Sequence, residues 1–303
     1  MKTYIDCYPC FLRQAIESAK LSGSGARTQK KIIDDIVKSL PNIPLSFSPP
    51  EIGINIRLSV RKFTGNKDPY KKIKDKSNKL ALGIYGLLKH KVANSSDRFL
   101  TAVELAVAGN IIDYGVKNNL NIEDEISKIL KKEYKAIKHE DRAVFDYEVF
   151  IKVLKNAKTI LYLADNAGET VFDRILIEEI KRFDKSKKII YAVKERPTIN
   201  DALIEDALVS GVGESAEIIS CGAATSGTIL KYCSKSFLKL FKAANMVISK
   251  GQGNFEALSN AKREIFFLLK AKCPVVVRHL VSLKVPCVLG DIVLYYRKRN
   301  KTR

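Results

Sequence analysis

Apolar positions divide this chain into two textures. Up to about residue 157 they recur at helical spacing. Phe11, Leu12, Ala15, Ile16 and Ala19 form one stripe, broken by Gly23-Ser24-Gly25, and Ile32, Ile33, Ile36 and Val37 form the next. Residues 41–50 hold four prolines and read as a loop. Helical patterns resume over 68–91, 98–114, 122–130 and 144–154. Beyond residue 158, short apolar runs lie at 159–164, 189–193, 217–220, 246–249, 274–278 and 286–295. Helical stretches fall between them, at 170–182, 201–210, 226–242 and 255–270. Strands alternating with helices predict β-α-β units. The expected fold is α/β: an all-helical domain over 1–150, then a Rossmann-like domain over 151–303 whose mainly parallel sheet is flanked by helices.

Polar residues cluster where predicted strands end and helices begin. Asp165-Asn166-Ala167-Gly168-Glu169 follows the first run, Lys194 to Asp201 follows the second, and Lys250-Gly251-Gln252-Gly253-Asn254 follows the run at 246–249. In a parallel sheet these positions converge on one edge, where open α/β sheets bind ligands. Taken alone, Asn200-Asp201 reads as a helix cap and the glycine loop as a turn. Together, Asp165, Asn166 and Asp201 offer hard oxygen donors suited to Mg²⁺ or Mn²⁺. Lys250 adds a cation and residues 251–254 add backbone N–H groups, which makes a phosphate site. In the helical half, Asn110 and Asp113 share one helix face and either meet water or line a pocket. Gly211-Val212-Gly213-Glu214-Ser215-Ala216 matches a dinucleotide-binding pattern, but it follows a helix and precedes a strand, the reverse of what that motif needs.

The net charge of +20 raises nucleic-acid binding as an option. The lysines are spread along the chain beside Asp and Glu, which reads as solvated helix faces, so nucleic acid is not the expected partner. With 46% hydrophobic residues the chain can bury a large core, and no apolar run is long enough for a membrane span. No secretory signal is visible, so the cytoplasm is the default location and no membrane partner is expected. Six scattered cysteines in such a chain argue against a disulfide framework. Cys7 and Cys10 form a C-x-x-C before a helix, half of a zinc or iron–sulfur site. A second chain could complete it across a homodimer, or Cys221 or Cys233 could do so within one chain. Alternatively the two are packed thiols without a cofactor. His90, His139 and His279 are isolated and carry no catalytic assignment.

These strings resemble the damage-control phosphatases of the DUF89 group, closest to the subfamily with a paired-cysteine amino terminus. The resemblance rests on Cys7-Tyr8-Pro9-Cys10, Gly109-Asn110-Ile111-Ile112-Asp113, Asp165 to Asp173, Asn200-Asp201-Ala202, Lys250 to Glu256, and Phe267 to Pro274, in order along nearly the whole chain. It implies metal-dependent hydrolysis of small phosphorylated metabolites, such as sugar phosphates or nucleotides. It also implies Asp165, Asn166 and Asp201 as metal ligands, with Mn²⁺, Ni²⁺, Co²⁺ or Mg²⁺ as the ion. Lys250, Gly251 and Asn254 match the family's phosphate-contacting loop. Asn110 and Glu169 are further substrate-side candidates, and Glu169, Asp173 or Asp113 could orient the attacking water. One departure is Arg196-Pro197-Thr198 before Asp201, where the family reads more like Gly-x-Pro-Ile, which bears on how substrate is held. The alternatives are an S-adenosylmethionine-dependent methyltransferase on the same core and a basic nucleic-acid-binding protein without catalysis.

Overall fold

Six apolar segments assemble into one sheet in the computed structural model, which describes residues 1–109 and 144–298. They are β1 (Thr159–Leu163), β2 (Lys188–Val193), β3 (Glu217–Ser220), β4 (Met246–Lys250), β5 (Ile265–Lys270) and β6 (Ile292–Arg297). Their spatial order is β3-β2-β1-β4-β5-β6. The first five run parallel and β6 pairs antiparallel with β5. The connections go one way from β1 to β3 and the other way from β4. The order therefore reverses between β1 and β4, which opens a crevice beyond their carboxyl ends.

Alternate side chains of each strand point to opposite faces. Ile160, Tyr162, Ile189, Tyr191, Met246 and Ile248 face one cluster. It is completed by α4 (Lys71–Ala93), α5 (Arg98–Ala108), α6 (Tyr147–Asn156) and α7 (Glu169–Phe183). Leu161, Leu163, Ile190, Ala192, Val247 and Phe267 face the other. That cluster takes in α1 (Tyr8–Leu21), α2 (Ala26–Ser39), α3 (Pro49–Thr64), α9 (Lys235–Ala243), α10 (Gln252–Leu258) and α11 (Pro274–Ser282). The short helix α8 (Ile204–Val209) leads toward β3, and its Ala207 joins the first cluster. Burial on both faces is why the central strands read as unbroken apolar runs.

Local signals set several helix ends. Glu51 accepts hydrogen bonds from the N–H (2.7 Å) and Oγ (2.8 Å) of Ser48, and prolines fill the first turn of α3. Gly65, at φ 69°, ends that helix. Asp97 caps α5 by accepting from the N–H of Leu100 at 2.9 Å.

The pattern reading needs correction in five places. Residues 255–270 are not one helix, because α10 ends at Leu258 and Ile265–Lys270 is β5. The run at 274–278 is the start of α11 rather than a strand. The last strand is Ile292–Arg297 rather than 286–295. Helix α8 begins at Ile204, so Asp201 lies in an extended segment and heads no helix. Of 226–242 only Lys235 onward is α-helical. The predicted helix 122–130 and the end of 98–114 lie outside the described residues. Among the described residues no helix is long and apolar enough to cross a membrane.

Glu256 in α10 gives a stability prediction. Burial pushes its carboxyl up to about 7, against the hydrogen bond from Gln252 (2.9 Å) and the nearby chain amino group. A folded-state value above the unfolded one means that folding takes up a proton between them. Stability is therefore full below the unfolded value of about 4.3 and falls as pH rises to about 7. Glu256→Gln should remove that slope and raise thermal stability at pH 8, by on the order of 2 kcal/mol, with little change at pH 4. Thermal melts of both proteins across this range check it; equal slopes would refute it.

Candidate active site

The loops that leave β1 and β2 are zipped together. Ala202 N–H donates to Asp165 O (2.8 Å) and Ala167 N–H to Asn200 O (2.9 Å), around an antiparallel bridge between Asn166 and Asp201. Lys194 N–H donates to Ala202 O at 3.1 Å. This short ladder sets Asp165, Asn166 and Asp201 side by side, all buried. Ile199, two residues before Asp201, is held at φ 40°, an outlier for a β-branched residue and a point of backbone strain next to the site.

The loop that leaves β4 comes up beneath them. Gly251 sits at φ 80°, and a Cβ there would lie 1.9 Å from Asp165 Oδ2. The missing side chain is thus the cradle of the Asp165 carboxylate. This corrects one expectation: the Gly251 N–H donates to Leu268 O (2.9 Å) in the sheet and is not a donor toward the site. Asn254 is placed at the same edge, but its amide braces the loops. Its Nδ2 donates to Ala164 O (2.9 Å) and Lys250 O (2.8 Å). Its Oδ1 accepts from Thr228 N–H (2.8 Å), Thr228 Oγ1 (2.8 Å) and Lys194 Nζ (3.2 Å).

Charge in the site is dense and dry. Lys250 Nζ donates to Asp173 Oδ1 at 2.7 Å and to Glu169 Oε2 at 3.3 Å. Burial alone would depress the Lys250 ammonium, yet Asp173 and Glu169 hold it above its ordinary value. Asp173 is also held by Tyr162 and Tyr191, whose hydroxyls donate at 2.7 Å each. Burial nevertheless keeps its carboxyl above the ordinary value. Asn166 Nδ2 donates to Glu169 Oε1 (2.8 Å) and Asp165 Oδ2 (3.3 Å), which ties the three side chains together. Asp165 is raised well above the usual carboxylate range, by burial first and then by the charges of Glu169 and Asp201.

Such a set fits a hard divalent cation. Two carboxylates and an amide oxygen are its usual donors, and water and substrate take the remaining positions. A cation would answer the mutual repulsion of Asp165, Glu169 and Asp201. Among the described residues no three His, Cys, Asp or Glu side chains form a ready-made metal cage.

Several residues that matter here give no motif in the sequence. Lys194, just after β2, is buried, and among the described residues its Nζ donates to Thr228 Oγ1 (3.5 Å) and Asn254 Oδ1 (3.2 Å). Asn78, in the middle of α4, clamps the two loops from the opposite side. Its Oδ1 accepts from Gly168 N–H (2.7 Å), and its Nδ2 donates to Asp206 Oδ1 (2.7 Å). Asp206 in turn accepts from Leu203 N–H at 2.9 Å. Asn78→Ala should cost about 1–3 kcal/mol, because buried partners are orphaned. A thermal melt checks this, and an unchanged midpoint would remove the clamp from the argument.

Asn110 and Asp113 lie outside the described residues. Gly109, just before them, is packed so closely on α7 that a Cβ would come within 2.9 Å of the Phe172 ring. The glycine pair at 211 and 213 does form a helix-to-strand turn, and Gly211 makes room for the Arg174 guanidinium.

Among the thiols, Cys221 and Cys233 are both free and hydrogen-bond to each other, and the thiol of Cys233 brings Cys221 down to about 6. The third cysteine that senses Cys10 is Cys273, at the start of α11. Burial pushes Cys7 up, against the lowering expected at a helix amino terminus. Among the described residues no three-ligand group stands at Cys7 and Cys10.

A doubly wound sheet with paired acidic loops and a buried lysine at its switch point defines a Rossmann-like α/β protein with a polar site between β1 and β4. Residues 3–285 match the family model described as the damage-control phosphatase ARMT1-like domain, and the chain belongs to that family. An uncharacterized protein of Methanocaldococcus jannaschii is 36% identical over 301 residues, covering 96% of this chain and 94% of its own. A damage-control phosphatase of Pyrococcus horikoshii is 36% identical over 289 residues, covering 94% of this chain and 96% of its own. The crystal structure of a DUF89 family protein from Pyrococcus horikoshii superposes with a TM-score of 0.85 at 35% identity, covering 99% of this chain and all of that one.

Proposed function

We propose that this chain is a divalent-metal-dependent phosphatase of small phosphorylated metabolites. The observation that carries the reading is the zipped pair of loops, which holds Asp165, Asn166 and Asp201 in one buried cluster beside Lys250 and Lys194. The name of the Pyrococcus horikoshii relative supports the phosphatase class. The methyltransferase and nucleic-acid readings find no such support.

Asp165, Asn166 and Asp201 would hold Mn²⁺, Ni²⁺, Co²⁺ or Mg²⁺, which supplies Lewis-acid activation of a phosphoryl oxygen and of water. The protein's own residues do the rest. Lys250 has three N–H donors and two point at carboxylates, so the third is left for a phosphate oxygen. Lys194, hydrogen-bonded to Thr228 and Asn254 and felt by the Asp165 carboxyl, adds a second cation where the phosphoryl group gains negative charge. Glu169, steered by Asn166 and Lys250, is the carboxylate placed to orient the attacking water. Asp173 is the weaker candidate, because two tyrosines and Lys250 already occupy it.

Treatment with EDTA should abolish hydrolysis of para-nitrophenyl phosphate, and Mn²⁺ should restore it. Activity that survives exhaustive chelation would remove the metal from the mechanism. Absence of activity with every divalent ion would remove the phosphatase reading itself.

A further inference from the structure

A hollow of about 30 Å³ behind an open mouth lies between α3, the segment 66–70 and the loop that precedes Asp201. Its walls include Arg57 and Lys67 on one side and Pro197, Thr198, Ile199 and Ser226 on the other. We propose that this hollow is a second anion subsite, so that the preferred substrate carries a further phosphate or carboxylate beside the phosphoryl group that is cleaved. The proposal rests on the phosphatase reading and names its substrate class.

Arg57 carries the argument. Its side chain is half-buried, and its Nε is shut off from water without a hydrogen-bond acceptor. Burial holds the guanidinium below its ordinary value, and the charges of Arg61 and Arg196 push it the same way. Two further guanidinium groups therefore act on Arg57 here. The carboxylate on the wall, Asp68, is paired with Lys74 at 2.9 Å. A buried polar cation without an acceptor costs free energy, and an incoming anion would recover it. Arginine is the side chain whose planar fork grips phosphate or carboxylate through two parallel bonds.

The hollow adjoins the acidic cluster on two sides. Thr198 O accepts from the N–H of Asp201 at 3.1 Å, so one wall runs straight into that loop. Ser226 lies two residues before Thr228, which donates to Asn254. Close backbone packing locks that wall in place: a Cβ on Gly253 would lie 2.0 Å from Ser226 O.

The test compares kcat/KM for a hexose bisphosphate, a phosphorylated sugar acid and the matching hexose monophosphate, in wild type, Arg57→Gln and Arg196→Gln. The wild type should prefer at least one doubly anionic substrate over the monophosphate by about tenfold or more. The two acid types then say whether the subsite takes phosphate or carboxylate. Each variant should lose most of that preference through KM. Equal rates on singly and doubly anionic substrates in the wild type, or an unchanged preference in both variants, would overturn the proposal. A readout without catalysis separates it from the phosphatase reading: the hexose bisphosphate should raise the melting temperature of the wild type more than that of Arg57→Gln. An equal rise in both would count against the subsite, whereas inactivity on every ester would count only against the phosphatase reading.

Discussion

Asp165→Asn should lose about a thousandfold of metal-dependent phosphatase activity while the protein itself becomes more stable without metal. The first half follows from the donor set. The replacement keeps the shape and removes the negative charge that a divalent cation needs, and such an ion contributes several kcal/mol of transition-state stabilisation. At about 1.4 kcal/mol per tenfold change in rate, the loss is of the stated order. The second half follows from burial. Asp165 is desolvated and lies in the field of Glu169 and Asp201, so its carboxylate is a cost to the metal-free fold. An amide of equal size fits the cradle over Gly251 and removes that repulsion. In EDTA the variant should melt a few degrees above wild type. With Mn²⁺ the order should reverse, because only the wild type gains stability from binding the ion. Full activity in the variant, or a lower melting temperature in EDTA, would show that Asp165 is not the residue around which the site is charged.

The acidic cluster was legible because its pieces are local. A polar stretch after an apolar run and before an amphipathic one marks a strand end in a parallel sheet, and three such stretches meet at one edge whatever the loops between them do. What joins them was not legible. The ladder between Asn166 and Asp201 pairs residues 35 positions apart, and nothing in either stretch encodes the other. Asn78 lies within α4 among lysines and looks like any solvated helix position, yet it holds the Gly168 turn. Asn254 looked like a ligand contact because it follows a glycine loop, whereas its four kinds of protein partner make it a brace. The misread elements have a common cause. Pro274-Val275-Val276-Val277 has strand-forming side chains, but Pro274 suits the first turn of a helix and buried contacts at Val275, Val276 and Leu280 override the preference. Ile265–Lys270 is an apolar run too short for its period to separate strand from helix.

Lys250→Met should destabilise the fold by about 3–5 kcal/mol as well as abolish activity, since it strands a buried carboxylate. The partner at risk is Asp173, which is fully buried and 2.7 Å from the ammonium. The hydroxyls of Tyr162 and Tyr191 remain to it, but neither is charged. The rescue distinguishes this account from a packing defect. With Asp173→Asn added, the fully buried charge is gone: one tyrosine keeps the amide oxygen to donate to, the other can accept from the amide nitrogen, and Glu169 keeps its bond from Asn166. Most of the lost stability should return, while activity stays absent because no ammonium faces the phosphate. A double-mutant cycle by chemical denaturation measures the coupling directly. If the two replacements simply add, the ion pair does not hold the β4 loop to α7, and Lys250 acts on substrate alone.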